Sequence, residues 1–298
     1  EIPSRSQCIT CHSPTAGYSL SFNTRQLNRE NTIHGFTGNQ LDLLSNGGYL
    51  DNAPPPPESL PRHLRPDETR YSVEARVRSY LAVNCSYCHA GAAGTAPTAW
   101  DGRHELTLDE TGLVNGIAAT ADGDFRLIAP GDTTHSVVLQ RMGGTGGFTR
   151  MPPLGSNETD PDNIALLTEW INQSLPNKRT YAQWRLETFL SPDSPEGDPG
   201  EDPDGDGAPN QAEYLAGTLA TSGASFPRPE VRLAGPDVSL DFTIPEGRSV
   251  RVETSENLSD WTPWDVPQND GIPLSGGSTT FSGPAPASNQ FYRLLIRE

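Results

Sequence analysis

The sequence is short of basic side chains, cysteine, methionine and long apolar runs, and each shortage narrows what the chain can do. Lys and Arg number 21 against 38 Asp and Glu, for a formal charge of −17. Nucleic-acid binding needs clustered cations against phosphate, and docking on anionic lipid needs the same, so both are disfavoured. A solvated acidic surface, or one that meets a basic partner, fits better. No run of about 18 apolar residues occurs, so no membrane span is expected. The chain opens at Glu1 without a methionine or a leader-like segment, which reads as a mature, processed chain or the C-terminal piece of a longer one. Hydrophobic residues make up only 34%, while Gly (29) and Pro (28) are abundant. Much of the chain should therefore be loop, and long loops call for a staple such as a buried cofactor or a bound metal.

The four cysteines form two Cys-x-x-Cys pairs, each followed at once by histidine: Cys8-Ile9-Thr10-Cys11-His12 and Cys85-Ser86-Tyr87-Cys88-His89. This pentad is the attachment signature of c-type haem. Two thiols that add to the two vinyl groups of one porphyrin must sit a fixed short distance apart, and the adjacent imidazole then falls under the iron as proximal ligand. A structural zinc site accounts for two Cys-x-x-Cys pairs but not for a histidine after each. A thioredoxin-like motif wants one pair in a βαβ setting, and two disulfides leave the histidines unexplained. Two haems c are expected, bound through Cys8, Cys11 and His12 and through Cys85, Cys88 and His89. Haem c is assembled outside the cytoplasm, so a periplasmic or extracellular location follows.

The sixth iron positions are less evenly marked. Of the two methionines, Met151 stands in Arg150-Met151-Pro152-Pro153-Leu154, about 60 residues past the second pentad. A thioether held on a stiff proline loop suits a distal ligand and raises the potential, so Met151 is expected on haem 2. For haem 1 the choice stays open among His34, His63 and Met142, with His104 and His135 weaker, and a five-coordinate iron is a further option. Arg5, Arg25, Arg103 and Arg141 lie near the haem segments in sequence and are candidates for propionate pairing.

Downstream, Asp202-Pro203-Asp204-Gly205-Asp206-Gly207-Ala208-Pro209-Asn210-Gln211-Ala212-Glu213 follows the twelve-residue EF-hand loop. Oxygen ligands fall at Asp202, Asp204, Asp206 and Asn210, the Ala208 carbonyl serves position 7, and Glu213 closes the loop in bidentate fashion. A Ca²⁺ ion is expected there as a structural clamp. The alternative is an acidic disordered linker.

The expected fold is mainly α, with loop-rich cytochrome c-type haem domains followed by a small antiparallel β-sandwich. The first haem region covers 1–70, with short helices near 23–28 and 40–44 and a polyproline-like spacer at Pro54–Pro57. A second cytochrome c-like domain covers 71–190. There Val73, Val77, Tyr80 and Leu81 mark one helix face leading into Cys85, a short helix covers Ser136 to Met142, and Ile164, Leu167, Ile171 and Leu175 mark the face of a helix that starts at Pro161. An amphipathic stretch from Tyr181 to Leu190 follows. Residues 191–225 form an acidic linker with the calcium loop, and 226–298 the β part, with strands expected around Val231–Leu233, Val238–Phe242, Val250–Glu253 and Phe291–Leu295.

At these residues the chain resembles known families. Pro3-Ser4-Arg5-Ser6-Gln7-Cys8, Thr24-Arg25-Gln26-Leu27-Asn28, the run from Glu74 through His89, Ala129-Pro130-Gly131-Asp132, Arg141-Met142 and Met151-Pro152-Pro153-Leu154 are similar to a family of bacterial diheme c-type cytochrome domains, over residues 3 to 172. The resemblance implies electron transfer. It also implies a domain that often stands C-terminal to a sugar-dehydrogenase-like propeller or another exported module, and so a possible electron-accepting part of something longer. Residues 202 to 298, with Ser255-Glu256-Asn257-Leu258-Ser259-Asp260-Trp261 and Phe291-Tyr292-Arg293, resemble the C-terminal tail of large secreted proteins of Planctomycetes- and Verrucomicrobia-type bacteria. The expectation is an exported diheme electron carrier that works with redox partner proteins, through self-assembly or a fused N-terminal module. The rivals are a diheme peroxidase-like enzyme with one open iron and a subunit of an extracellular cytochrome filament. Carbohydrate binding through Trp261 and Trp264 is a weaker option.

Overall fold

The computed structural model describes residues 4–20, 22–98, 100–119, 123–154 and 157–298; Pro3 of the first matching stretch lies outside them. The mainly α expectation is overturned. Helix accounts for 29% of the chain and strand for 19%, with three small sheets. The physical reason lies in the glycine and proline content: between Cys85 and Val137 the described backbone forms only 3₁₀ turns and isolated bridges, since Gly costs helix stability and Pro removes the amide that would propagate it. Where a hairpin formed instead, the sequence signal was short. His34 (φ 50°) and Gly35 (φ 86°) make a two-residue turn joining β1 (Glu30–Ile33) to β2 (Phe36–Asn39), the positive-φ geometry that favours tight hairpins.

The chain forms two units. The first comprises its described residues up to Glu68 together with Val73–Pro176, and the second comprises Thr69–Ser72 and Asn177–Glu298. Both pentads thus share the first unit, and the helix expected near 181–190 belongs with the C-terminal one.

In the first unit, α1 (Arg5–Cys11) starts at Ser4, whose hydroxyl accepts from Gln7 N while Gln7 Oε1 accepts from Ser4 N, a reciprocal capping box. None of its residues is buried. Helix α2 (Thr24–Leu27) is capped by Asn23, and α3 is Gln40–Asn46. Asn28, buried, donates to the carbonyls of Pro57 and Leu60, both at 2.8 Å, and so pins the proline-rich spacer to the end of α2. Helix α4 (Val73–Cys85) runs directly into the second pentad. Its Val73, Val77 and Leu81 face a core shared with Leu139 and Met142 of α5 (Val137–Gly143) and Leu166 and Leu167 of α6 (Pro161–Glu169). Helix α6 opens with Asp160 accepting from Asn163 N and continues as a π-type turn, Trp170–Ser174, then α7 (Leu175–Asn177). Trp170 and Ile171 on that turn are wholly buried.

The second unit begins its regular structure with α8 (Tyr181–Phe189), followed by α9 (Asn210–Ala216). It is then β-rich. One three-stranded antiparallel sheet is ordered β3 (Glu230–Ala234), β4 (Asp237–Ile244), β7 (Gly277–Pro284). The other is ordered β6 (Thr262–Pro263), β5 (Ser249–Ser255), β8 (Phe291–Arg297). On β4, Val238, Leu240, Phe242 and Ile244 alternate into the interior, and Leu240 pairs with Phe281. Strand β7 escaped the sequence reading because Phe281 is its one buried large apolar residue, so it carries no period-two pattern.

Leu167 is 1% exposed at the centre of the first core. Leu167→Ala should destabilise the first unit by about 2–5 kcal/mol, read as a lowered denaturation midpoint with unchanged slope. A loss under about 0.5 kcal/mol, the range of ordinary surface changes, would show that this core does not carry the unit.

Candidate haem attachment and cation sites

The two pentads, far apart in sequence, meet in space. Cys11 Sγ and Cys88 Sγ lie 3.2 Å apart. The hydroxyl of Thr95 donates to Thr10 O at 2.5 Å and that of Thr15 to Ala93 O at 2.6 Å, so the two segments are laced together on either side of the thiols. All four cysteines are free. Burial raises the Cys11 thiol to about 11, with the hydrogen bond to Cys88 adding to it, and raises the Cys85 thiol to about 12. Both are therefore protonated at neutral pH. Among the described residues the thiols and histidines do not gather into a cluster with metal-ligand spacing, so the arrangement does not suit a Cys₄ or Cys/His zinc centre.

Each pentad histidine is prepared differently. His12, exposed, has Nδ1 tied to the carbonyl of Tyr18. Such a bond fixes the tautomer that leaves Nε2 with its lone pair outward, the orientation a metal-ligating imidazole needs. Tyr18 reaches this position with φ 62°, in the left-handed region. His89 stacks on Trp100, with ring centroids 4.4 Å apart and planes 24° from parallel. Its Nδ1 is buried without a hydrogen-bond partner. Burial, then the nearby Arg141 charge, lowers its pKa to about 4, so the ring is neutral and can offer a lone pair. Gly94 permits the tight approach here: a Cβ at that position would collide with the Cys88 carbonyl.

Met151 is tied to the end of α5. Its N–H donates to Arg141 O at 2.9 Å, and Arg141 is the residue whose charge reaches the His89 ring. Met151 is half-buried. The other methionine, Met142, is buried in the first core, where its sulfur is a packing atom. His34 is exposed at the tip of the β1–β2 hairpin. His63 and His104 have ring centroids 5.1 Å apart, crossing at 67°, and both are lowered to about 4, first by burial. His135 is paired with Asp132 at 2.6 Å. Of the candidate propionate partners, Arg25 pairs with Glu105 at 3.2 Å and Arg103 with Asp101 at 2.6 Å, Arg141 donates to Thr149, and Arg5 is exposed. Nothing local in the sequence marks Trp100, the Tyr18 carbonyl or the meeting of His63 with His104, because each is a contact made by folding.

The residues present fit haem c. Paired thiols, a neutral half-buried imidazole and an exposed imidazole with a set tautomer make up the donor set that covalent attachment and proximal ligation would require.

The calcium-loop residues form the second site. One carboxylate oxygen from each of Asp202, Asp204 and Asp206 lies within 4.8 Å of the others. The loop is preshaped by its own amides: Gly205 N and Gly207 N donate to Asp202, Asp206 N to Asp204 and Ala208 N to Asp206. Gly205 (φ 74°) and Gly207 (φ 97°) supply the left-handed turns. Asn210 is wholly buried; its Nδ2 donates to Glu196 O and Asp198 O, and its Oδ1 has no partner. Glu213 is also wholly buried, with both oxygens unpartnered. Five buried, unpaired oxygens (Asp204 Oδ2, Asp206 Oδ2, Asn210 Oδ1 and both of Glu213) therefore belong to one twelve-residue loop. An all-oxygen set of this kind, with Ala208 buried at the carbonyl-ligand position, fits a hard cation such as Ca²⁺.

Helix α9 links this loop to the rest of the second unit. Tyr214, next to Glu213, packs against Tyr181 and Trp184 of α8, lies under the Arg248 guanidinium (4.4 Å to the ring centroid) and bonds to Glu298. Arg248 in turn pairs with Glu298 at 2.8 Å.

No known family model, curated protein or solved structure matches this chain.

Burial, with repulsion from Asp204, Asp206 and Asp202 adding to it, raises the Glu213 carboxyl to about 7 from an ordinary 4.5. Without metal, the folded chain then binds a proton that the unfolded chain has released, so this group's contribution to stability falls as pH rises from about 4.5 to 7. In EGTA, the melting temperature of Glu213→Gln should gain on wild type between pH 5 and pH 8. In excess Ca²⁺ the order should reverse, with wild type the more stable. A difference that stays flat with pH and is untouched by Ca²⁺ would refute both halves.

Proposed function

We propose that this chain is an exported diheme c-type cytochrome that carries electrons between redox partner proteins, with its C-terminal unit clamped by Ca²⁺. The observation that carries the reading is the convergence of the two Cys-x-x-Cys-His pentads, with Cys11 and Cys88 in contact and each histidine prepared for ligation by a different device. The spacing of each pentad, which is that of c-type haem attachment, also supports it.

Each haem, when bound, supplies one-electron Fe(III)/Fe(II) chemistry. The chain's own contribution is placement. Cys8 and Cys11, and Cys85 and Cys88, would hold the two haems, and Cys11 and Cys88, the second thiols of the two pentads, are in contact. Tyr18 holds His12 in the ligating tautomer, and Trp100 holds the His89 ring in plane. Met151, tethered through Arg141, would give the second centre a thioether ligand and a raised potential. The charge of −17 would steer basic partners and weaken with salt. Among the described residues no helix is long and apolar enough to cross a membrane. Location in the periplasm or outside the cell follows from haem c chemistry and is part of the proposal, as is a fused N-terminal module supplying the electrons.

Export of the chain with a haem c maturation system should yield a red protein whose intact mass includes two haems. Cys8→Ala with Cys11→Ala should remove one haem and leave the other; Cys85→Ala with Cys88→Ala should do the converse. A colourless wild-type protein of unmodified mass sinks the reading.

A further inference from the structure

We propose that, in the haem-free chain, Cys11 and Cys88 form a disulfide that joins the two pentads and closes both of them to haem with one bond. The bond is read from the placement of the thiols; its effect on loading rests on the reading above that the pentads hold haems. The two sulfurs are already in contact at 3.2 Å. The Cys88 sulfur also lies 3.6 Å from Thr10 O, against the peptide that leads into Cys11. A disulfide needs the sulfurs at about 2.05 Å, so the shift required is about 1 Å shared between two side chains.

The backbone on either side holds this approach in place. Thr95 donates from its hydroxyl to Thr10 O at 2.5 Å, and Thr15 does the same to Ala93 O at 2.6 Å. The amides of Thr95 and Ala96 both donate to Cys88 O, at 3.0 and 3.1 Å, so the loop that ties down Thr10 is itself closed on Cys88. Both thiols are partly exposed, within reach of a small oxidant.

The rival pairings are worse placed. Cys8 and Cys11 stand three apart on α1. Side chains at that helical spacing have Cβ atoms about 5–6 Å apart, whereas a disulfide spans roughly 3.5–4.5 Å. Joining them would unwind the end of α1. Cys85 is the last residue of α4 and packs against the first apolar core, while Cys88 turns to Cys11.

The oxidant is a low-molecular-weight disulfide such as oxidised glutathione. One cysteine loses its proton and its sulfur attacks the small disulfide, releasing one small thiol and leaving a mixed disulfide. The other cysteine, also deprotonated, displaces the second small thiol. Two protein thiols are oxidised and one small disulfide is reduced to two thiols, with no electrons left over. A haem vinyl group adds only a free thiol, and each pentad supplies one of the two sulfurs consumed here. The crosslink would also pin α1, which buries none of its own residues, to the second pentad until reduction frees both for haem.

The test starts from the full-length chain made without haem and fully reduced. It is equilibrated with oxidised and reduced glutathione at mildly alkaline pH, alkylated and cut with trypsin. Residues 6–25 and 79–103 each leave as one segment carrying a whole pentad. Wild type should give these two segments joined, and released by reduction. Cys8→Ala with Cys85→Ala should keep the joined species; Cys11→Ala with Cys88→Ala should lose it. Two separate segments, each two hydrogens light, would mean bonds within the pentads and would overturn the proposal, as would a joined species in the Cys11→Ala with Cys88→Ala chain.

Loading is read by intact mass after export with a haem c maturation system, with and without the same oxidant. Wild type should lose both haems together when the oxidant is present. Cys11→Ala should keep haem at its second pentad equally in both conditions. The gating role fails if oxidant leaves wild-type loading unchanged, or if Cys11→Ala loses its second-pentad haem as wild type does. No haem under either condition would refute the diheme reading, while the peptide map still judges the bond.

Discussion

A polar atom taken out of water needs a partner, and several of the buried atoms that lack one in this chain belong to candidate ligand histidines and to the Asp202–Glu213 loop. Nδ1 of His63 and His89, Oδ1 of Asn210 and both oxygens of Glu213 are buried and unpaired. Each such group costs free energy to leave unmade, about 1–3 kcal/mol for a neutral one and more for a charge. A chain with 34% hydrophobic residues has little apolar burial with which to offset several of them. On the proposed reading, a hard cation would partner the oxygens of Asn210 and Glu213.

The two units meet this constraint by different routes. In the first, an apolar core from α4, α5 and α6 supports one side of the second pentad, while α1 and its pentad bury nothing. The first attachment segment is thus held by hydrogen bonds through Thr10, Thr15 and Tyr18 rather than by packing. In the second, the two small sheets have their own buried stripes. The cation loop matters to the remainder, because α9 links it to Tyr181 and Trp184 of α8 and, through Tyr214, to Arg248 and Glu298. A loop that carries three aspartates and a buried glutamate repels itself when they are ionised, and the divalent ion proposed there would turn that repulsion into a fastening.

The local features were legible where the chemistry is local. The helix from Val73 into Cys85, the Pro161 start of α6, and the loop from Asp202 to Glu213 all follow from spacing and capping, and they stand in the structure close to where the residues put them. The class of the fold was not legible. Helices were expected to dominate, but the described residues of the glycine- and proline-rich stretch from Cys88 to Ser136 stay in turns and bridges, and polar strands such as β7 give no alternation to read.

By itself, the sequence determined which atoms can do chemistry: two thiol pairs each with its histidine, one proline-held methionine and one ordered run of oxygen donors. Those assignments depend on covalent spacing over a few residues, which the linear chain already contains. Only the tertiary structure decided that Cys11 meets Cys88, that Trp100 covers His89, and that His63 meets His104. These are contacts between segments distant along the chain. Their selection rests on how loops close and cores fill, and no single stretch of sequence encodes it.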